Sequence, residues 1–203
     1  DMQGNQLATA QVDGPVDSVL VLTDQLTLRL LQGIWKSREP LPSANASGNT
    51  STSMPAIRAY LDGERFHRRG QWDSAQSAFE RAVAADSTFA LAWYKLANTM
   101  GWIGTYNAPL AIQSSHNAVR YSEALPPRTR RIVTAYELFQ QGDVAAIDSM
   151  KSYTASFPDD ADGWYLLGEA QYHSRLYRPR PPEELAAPFD RVLAIDSTLT
   201  PAA

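Results

Sequence analysis

The stretch Phe79-Glu80-Arg81-Ala82-Val83-Ala84-Ala85-Asp86-Ser87-Thr88 returns further along the chain as Phe189-Asp190-Arg191-Val192-Leu193-Ala194-Ile195-Asp196-Ser197-Thr198. The two copies agree at Phe, Arg, Ala, Asp, Ser and Thr, and each places a helical run before an Asp-Ser-Thr stop. Two further units fit between them. One opens near Ala90 with Trp93, Tyr94 and Leu96; another closes at Phe157-Pro158, ahead of Trp164-Tyr165-Leu166-Leu167-Gly168. The spacing sets a repeat of roughly 34 to 37 residues, and periods of that size belong to stacked supersecondary units. From Pro55 onward the apolar residues recur at helical spacing almost everywhere, so the expected fold is all-α.

Composition removes several function classes. The chain has 203 residues, with 18 Lys and Arg against 22 Asp and Glu, a formal charge of -4. That balance is no electrostatic footprint for a polyanion, so nucleic acid is not an expected partner. No apolar run approaches the roughly 20 residues that cross a bilayer, so no transmembrane segment is expected in this chain. Cysteine is absent, which excludes disulfides, thiolate catalysis and Cys-ligated metals.

Residues 1–14 are polar and without period, and read as a tail. Residues 15–36 carry Val19, Leu20, Leu22, Leu26, Leu30, Leu31 and Ile34 and are expected to form a helix that covers one end of the stack or a partner. Residues 37–54 are dominated by Ser, Thr, Asn, Pro and Gly, too polar to offset their ordering entropy, and read as a linker. Asn45-Ala46-Ser47 and Asn49-Thr50-Ser51 match the glycosylation acceptor pattern. Asp1 without an initiator Met reads as a processed or excerpted chain, and the stop at Thr200-Pro201 suggests an array that continues. The lack of cysteine and the polar linker together favour an extracytoplasmic, periplasmic or membrane-associated, bacterial setting.

Residues 55–203 resemble the tetratricopeptide repeat, a helix-turn-helix unit with small and large residues at fixed offsets. The units are about 55–89, 90–125, 126–160 and 161–203. In the first, Gly63, Phe66, Ala75, Phe79 and Ala82 follow the family pattern. The second matches at Trp93, Leu96 and Ala97 and needs extra residues around Gly101 to Pro109. The third rests on Ala146, Met150, Tyr153 and Pro158. The fourth matches at Trp164, Leu167 and Gly168, then carries about five extra residues in Ser174 to Pro182, so its turn should protrude. The resemblance implies a right-handed α-solenoid of about four units with an extra N-terminal helix. Small residues let paired helices approach, and large ones fill the neighbouring groove.

In proteins of this family the first helix of each unit lines a concave groove. Counting the family's groove positions onto this chain gives Ile57, Tyr60, Glu64 and His67 in the first unit, and Leu91, Tyr94, Asn98 and Gly101, with Trp102 adjacent, in the second. The third contributes Thr129, Ile132, Tyr136 and Phe139, and the fourth Asp162, Tyr165, Glu169 and Tyr172. Of these, Tyr60, Glu64, His67, Tyr94, Asn98, Trp102, Tyr136, Tyr165, Glu169 and Tyr172 are the residues expected to bind a partner. Tyr60, Tyr94 and Tyr165 would form a ladder of amphipathic rings suited to a peptide; the alternative is that they only pack between repeats. A lysine-and-asparagine clamp for a terminal carboxylate is not implied, because Tyr94 stands where the lysine would be.

The sequence carries no phosphate loop, paired histidines or nucleophile elbow, so no catalytic residue, cofactor or metal is expected. Asp159, Asp160 and Asp162 read as helix caps, and Arg128, Arg130 and Arg131, like Arg175, Arg178 and Arg180, as solvated faces or contacts for an acidic surface. The expected function is a non-catalytic scaffold that binds a protein or peptide partner. The alternatives are an accessory subunit of a membrane protein complex, or the sensory or docking region of a membrane-tethered regulator, since the layout also resembles extracytoplasmic parts of bacterial regulatory proteins. A small-molecule pocket around Trp102, Tyr106 and His116 is a further alternative.

Overall fold

The computed structural model describes residues 9–12, 26 and 51–196. The expected tail and linker, and the expected leading helix apart from helical Leu26, fall largely outside the described residues. Among the described residues there are eight α-helices: α1 Met54–Arg68, α2 Trp72–Ala85, α3 Ala90–Trp102, α4 Pro109–Arg120, α5 Pro127–Gln140, α6 Ala145–Ser156, α7 Ala161–Ser174 and α8 Pro182–Ile195. A single 3-10 turn, Ser122–Ala124, follows α4.

Local chemistry sets these bounds. Proline occupies the first turn of α1, α4, α5 and α8, where its missing N–H is no loss and its fixed φ suits a helix. The Ser53 hydroxyl accepts from Ala56 N at 3.4 Å, so α1 begins at Met54, inside the segment read as linker. Gly70 and Gly142 close α1 and α5 with φ of +67° and +71°, a conformation that carries the chain sharply into the next helix.

Each helix packs on its neighbours in the chain, α1 with α2, α2 with α3 and so on to α8. The fold is therefore a series of antiparallel pairs. The contact layer is lined with alanine: Ala56, Ala75, Ala78, Ala82, Ala90, Ala92, Ala97, Ala111 and Ala135 are fully buried, and with so little side chain between them the backbones come close. Phe79, Phe89 and Leu96 are also fully buried and fill what remains.

The repeat is visible in hydrogen bonds too. Trp93 Nε1 donates to Ser87 O at 2.8 Å, and Trp164 Nε1 donates to Pro158 O at 3.0 Å. In both, a tryptophan early in the first helix of one unit fastens it to the last turn of the unit before. In the fourth unit the Gly168 position lies 2.6 Å, as an added Cβ, from Phe189, just as Gly63 lies 2.5 Å from Phe79 in the first. The extra residues between α7 and α8 are thus looped out without changing the packing register. Leu176 and Tyr177 in that turn are 79% and 86% exposed.

The row also curls on itself. Trp102 of α3 stacks on Tyr165 of α7 with centroids 5.7 Å apart, and Arg68 after the core of α1 reaches Asp196 beyond α8 at 4.0 Å. Units one and two therefore meet unit four.

Candidate functional site

The curl brings first helices from opposite ends of the row around one hollow. Its narrow end, about 40 Å³, is lined by Glu64, His67 and Arg68 of α1, Tyr94, Lys95 and Asn98 of α3, and Asp162, Tyr165 and Leu166 of α7. Its wide end, about 540 Å³, is lined by Asn98, Gly101 and Trp102, by Tyr136, Phe139 and Gln140 of α5, by Tyr165, Glu169, Tyr172 and His173 of α7, and by Tyr106 and Gly142 from two turns. Asn98, Trp102, Tyr165 and Leu166 belong to both, so the two ends adjoin.

Nine of the ten residues expected to bind a partner line this hollow: Glu64, His67, Tyr94, Asn98, Trp102, Tyr136, Tyr165, Glu169 and Tyr172. Of the other counted positions Gly101, Phe139 and Asp162 line it too, whereas Ile57, Leu91, Thr129 and Ile132 are buried and do not. The tenth expected residue, Tyr60, does not line it either. It is 1% exposed and lies between Phe79 and Phe89, with centroids at 5.7 and 5.1 Å. Tyr94 and Tyr165 show only an edge, at 5% and 7% exposed, because Tyr94 meets Tyr136 edge-on and Trp102 covers Tyr165. The three tyrosines thus form no exposed ladder. The position count found the inward direction, but the tight curl covers rings that an open groove would display. Tyr172, 44% exposed, and Tyr106, 51% exposed, are the accessible rings at the mouth.

Other expectations are corrected by the contacts. His116 does not join Trp102 and Tyr106; it stands apart beside Glu137 at 3.4 Å. Of the arginines after Pro127, Arg130 and Arg131 are exposed as expected, whereas Arg128 is half-buried; all three hold intramolecular partners. Arg128 Nη2 donates to Asp160 Oδ2 at 2.9 Å, Arg130 Nε to Ser122 O at 3.1 Å, and Arg131 Nη2 to Ser152 Oγ at 3.2 Å. Asp160 caps α7 as expected, accepting from Asp162 N and Gly163 N.

Lys95 is the residue sequence reasoning missed. It is 8% exposed, and its Nζ lies 3.4 Å from Glu64 Oε1. A lysine inside the apolar run Ala90 to Met100 was the available signal, since such a lysine needs a counter-charge. Burial pushes the Glu64 carboxyl up, against the pull of Lys95. Desolvation works to lower the Lys95 ammonium, but Glu64 and Asp162 together hold it above its usual range. Burial, with the Glu169 charge second, raises the phenols of Tyr136 and Tyr165, which stay neutral donors.

His67 sits beside this pair, its Nε2 3.0 Å from Asn98 Oδ1 and its ring edge-on to Trp72. Burial, with the Lys95 and Arg68 charges, lowers its pKa from 6.5 to about 4, against the Asn98 bond and Asp162. Between those values the unfolded chain binds a proton that the folded chain refuses, so the contribution of His67 to stability is lost as pH drops through this window, completely by about 4. His67→Gln, which keeps a donor for Asn98, is expected to flatten that slope. Urea midpoints of both proteins at neutral and mildly acid pH measure it; equal slopes would mean that the ring protonates freely in place.

No curated protein matches the chain. The tetratricopeptide repeat profile matches residues 60–99 and 133–199; the unmatched part between them holds the turn after α3 and α4, where the second unit departs from the regular length. Together the matches cover more than half of the chain and coincide with paired helices in repeating register, and the chain belongs to the tetratricopeptide repeat family.

Proposed function

We propose that the protein is a non-catalytic scaffold that holds a segment of a partner protein in the wide end of the hollow. Repeats of this family are in general protein–protein interaction modules. The observation that carries the reading is the pocket of about 540 Å³, where rings from α3, α5 and α7 converge and Tyr172 and Tyr106 remain open to a partner. Aromatic residues at the mouth of a pocket give large contact area for little lost conformational freedom, which is why they dominate binding hot spots. The setting proposed is a larger extracytoplasmic bacterial assembly, supported by the absence of cysteine from the chain. The second reading, an accessory subunit against a membrane protein complex, is favoured by one feature alone, the protruding turn with exposed Leu176 and Tyr177.

Tyr172→Ala tests the first reading. The ring is 44% exposed, so its loss is expected to change stability by only about 0.5 kcal/mol, yet to weaken partner binding by about tenfold or more. Parallel capture with the unmodified protein, Tyr172→Ala and the exposed α6 control Lys151→Ala supplies the comparison. A partner held equally by all three contacts another surface.

A further inference from the structure

Glu64 and Glu169 occupy the same position on the first helices of units one and four, and both face the hollow. Their surroundings differ in one respect. Glu64 has a permanent counter-charge in Lys95 at 3.4 Å. Among the described residues the one charge partner of Glu169, whose side chain is 25% exposed, is the His173 imidazole at 3.6 Å, which carries charge only when protonated. No lysine or arginine among the described residues lines the wide pocket around it. Beside it lies the buried Tyr165 hydroxyl, a neutral group engaged with the same carboxylate, and the remaining walls are mainly aromatic.

A carboxylate set among aromatic faces, short of a cation, defines the chemistry of its complement. An anion would meet Glu169 and the negative faces of the rings; a neutral apolar group would leave the carboxylate desolvated with nothing in return. A guanidinium satisfies both kinds of wall at once, pairing with the carboxylate by two N–H groups while its plane lies on a ring. The protein already displays half of this arrangement: the Arg175 guanidinium lies 3.8 Å from the Tyr172 ring centroid. We propose that the wide pocket accepts an arginine side chain from an extended basic segment of the partner, with Glu169 as its counter-charge. This rests on the scaffold reading above and adds the chemistry of the partner.

Selection of a random-sequence displayed peptide library against the full chain tests it. The expected result is enrichment of peptides with a shared arginine, whose replacement by alanine weakens binding about tenfold or more, as does Glu169→Gln in the protein. Glu169→Lys in a second selection is expected to reverse the preference toward acidic peptides, which a merely structural role for Glu169 would not do. Circular dichroism and thermal midpoints confirm that the variants are folded; should Glu169→Lys not fold, Glu169→Gln decides alone. Peptides without a shared basic residue, bound equally by Glu169→Gln but lost on Tyr172→Ala, would overturn the arginine proposal and leave the scaffold reading standing. Peptides indifferent to Tyr172→Ala, or none selected at all, would overturn both.

Discussion

Gly63→Val is expected to lower the unfolding free energy by about 3 kcal/mol, the upper range for forcing extra atoms into a packed core. A Cβ at this position would stand 2.5 Å from Phe79 Cε1 and 2.7 Å from Cδ1. Phe79 is fully buried and flanked by Tyr60, so the ring has nowhere to turn. The gain from replacing a helical glycine, about 0.5 kcal/mol for valine, is too small to compensate. Gly168→Val makes the informative comparison. There the clash is with Phe189, which is only partly buried and can tilt toward solvent, so roughly half the loss is expected. Chemical denaturation of the two variants gives the ratio. An unchanged midpoint for Gly63→Val would mean that the α1–α2 pair is not packed ring on glycine.

Asp160→Ala is expected to cost about 3 kcal/mol by a different route. This carboxylate is 2% exposed and serves two masters. Oδ1 accepts from Asp162 N at 3.1 Å and Gly163 N at 3.3 Å, closing the start of α7. Oδ2 accepts from Arg128 of α5 at 2.9 Å and from the Tyr153 hydroxyl of α6. Alanine removes a cap, worth about 1 kcal/mol, and strands a phenol and a guanidinium that had shared one oxygen. Breaking a buried pair costs about 3–5 kcal/mol, but the Arg128 side chain is 28% exposed and regains water, which keeps the total near the low end. Asp160→Ser, able to cap but not to pair, is expected to recover about 1 kcal/mol of the loss. If Ser and Ala behave alike, capping contributes nothing, and the whole loss comes from the bonds of Asp160 to Arg128 and Tyr153.

How much of this could be read from the chain differs by level. The helix pairs were legible because their signals are local: the Asp-Ser-Thr stops, prolines in the first turns, and small residues such as Gly63 and Gly168 inside the first helices. Even the insertion before α8 was legible, since the Phe189 copy fixed the register on its far side. The inward face of each first helix followed from counting, and nine of the ten residues expected to bind a partner do line the hollow. What was not legible is how tightly the row winds. Small differences in the angle between successive pairs add up over four units, and no single residue encodes their sum. That winding decides that Tyr94 and Tyr165 are covered while Tyr172 is open. Lys95 escaped for a related reason: its partner Glu64 lies on another unit, and the pairing exists only once the units are stacked.

The contact of Trp102 with Tyr165 and of Arg68 with Asp196 changes how such a molecule comes apart. An open row of repeats frays from its ends, each unit touching only the next, so the last pair can peel away and leave the first undisturbed. Here α7 is braced against α3 across the middle, so peeling the fourth unit uncovers aromatic surface on the second. Unravelling and loss of the pocket then become a single cooperative event. A segment lodged between α3 and α7 would accordingly act as a pin through the whole coil and not as a passenger on one side of it.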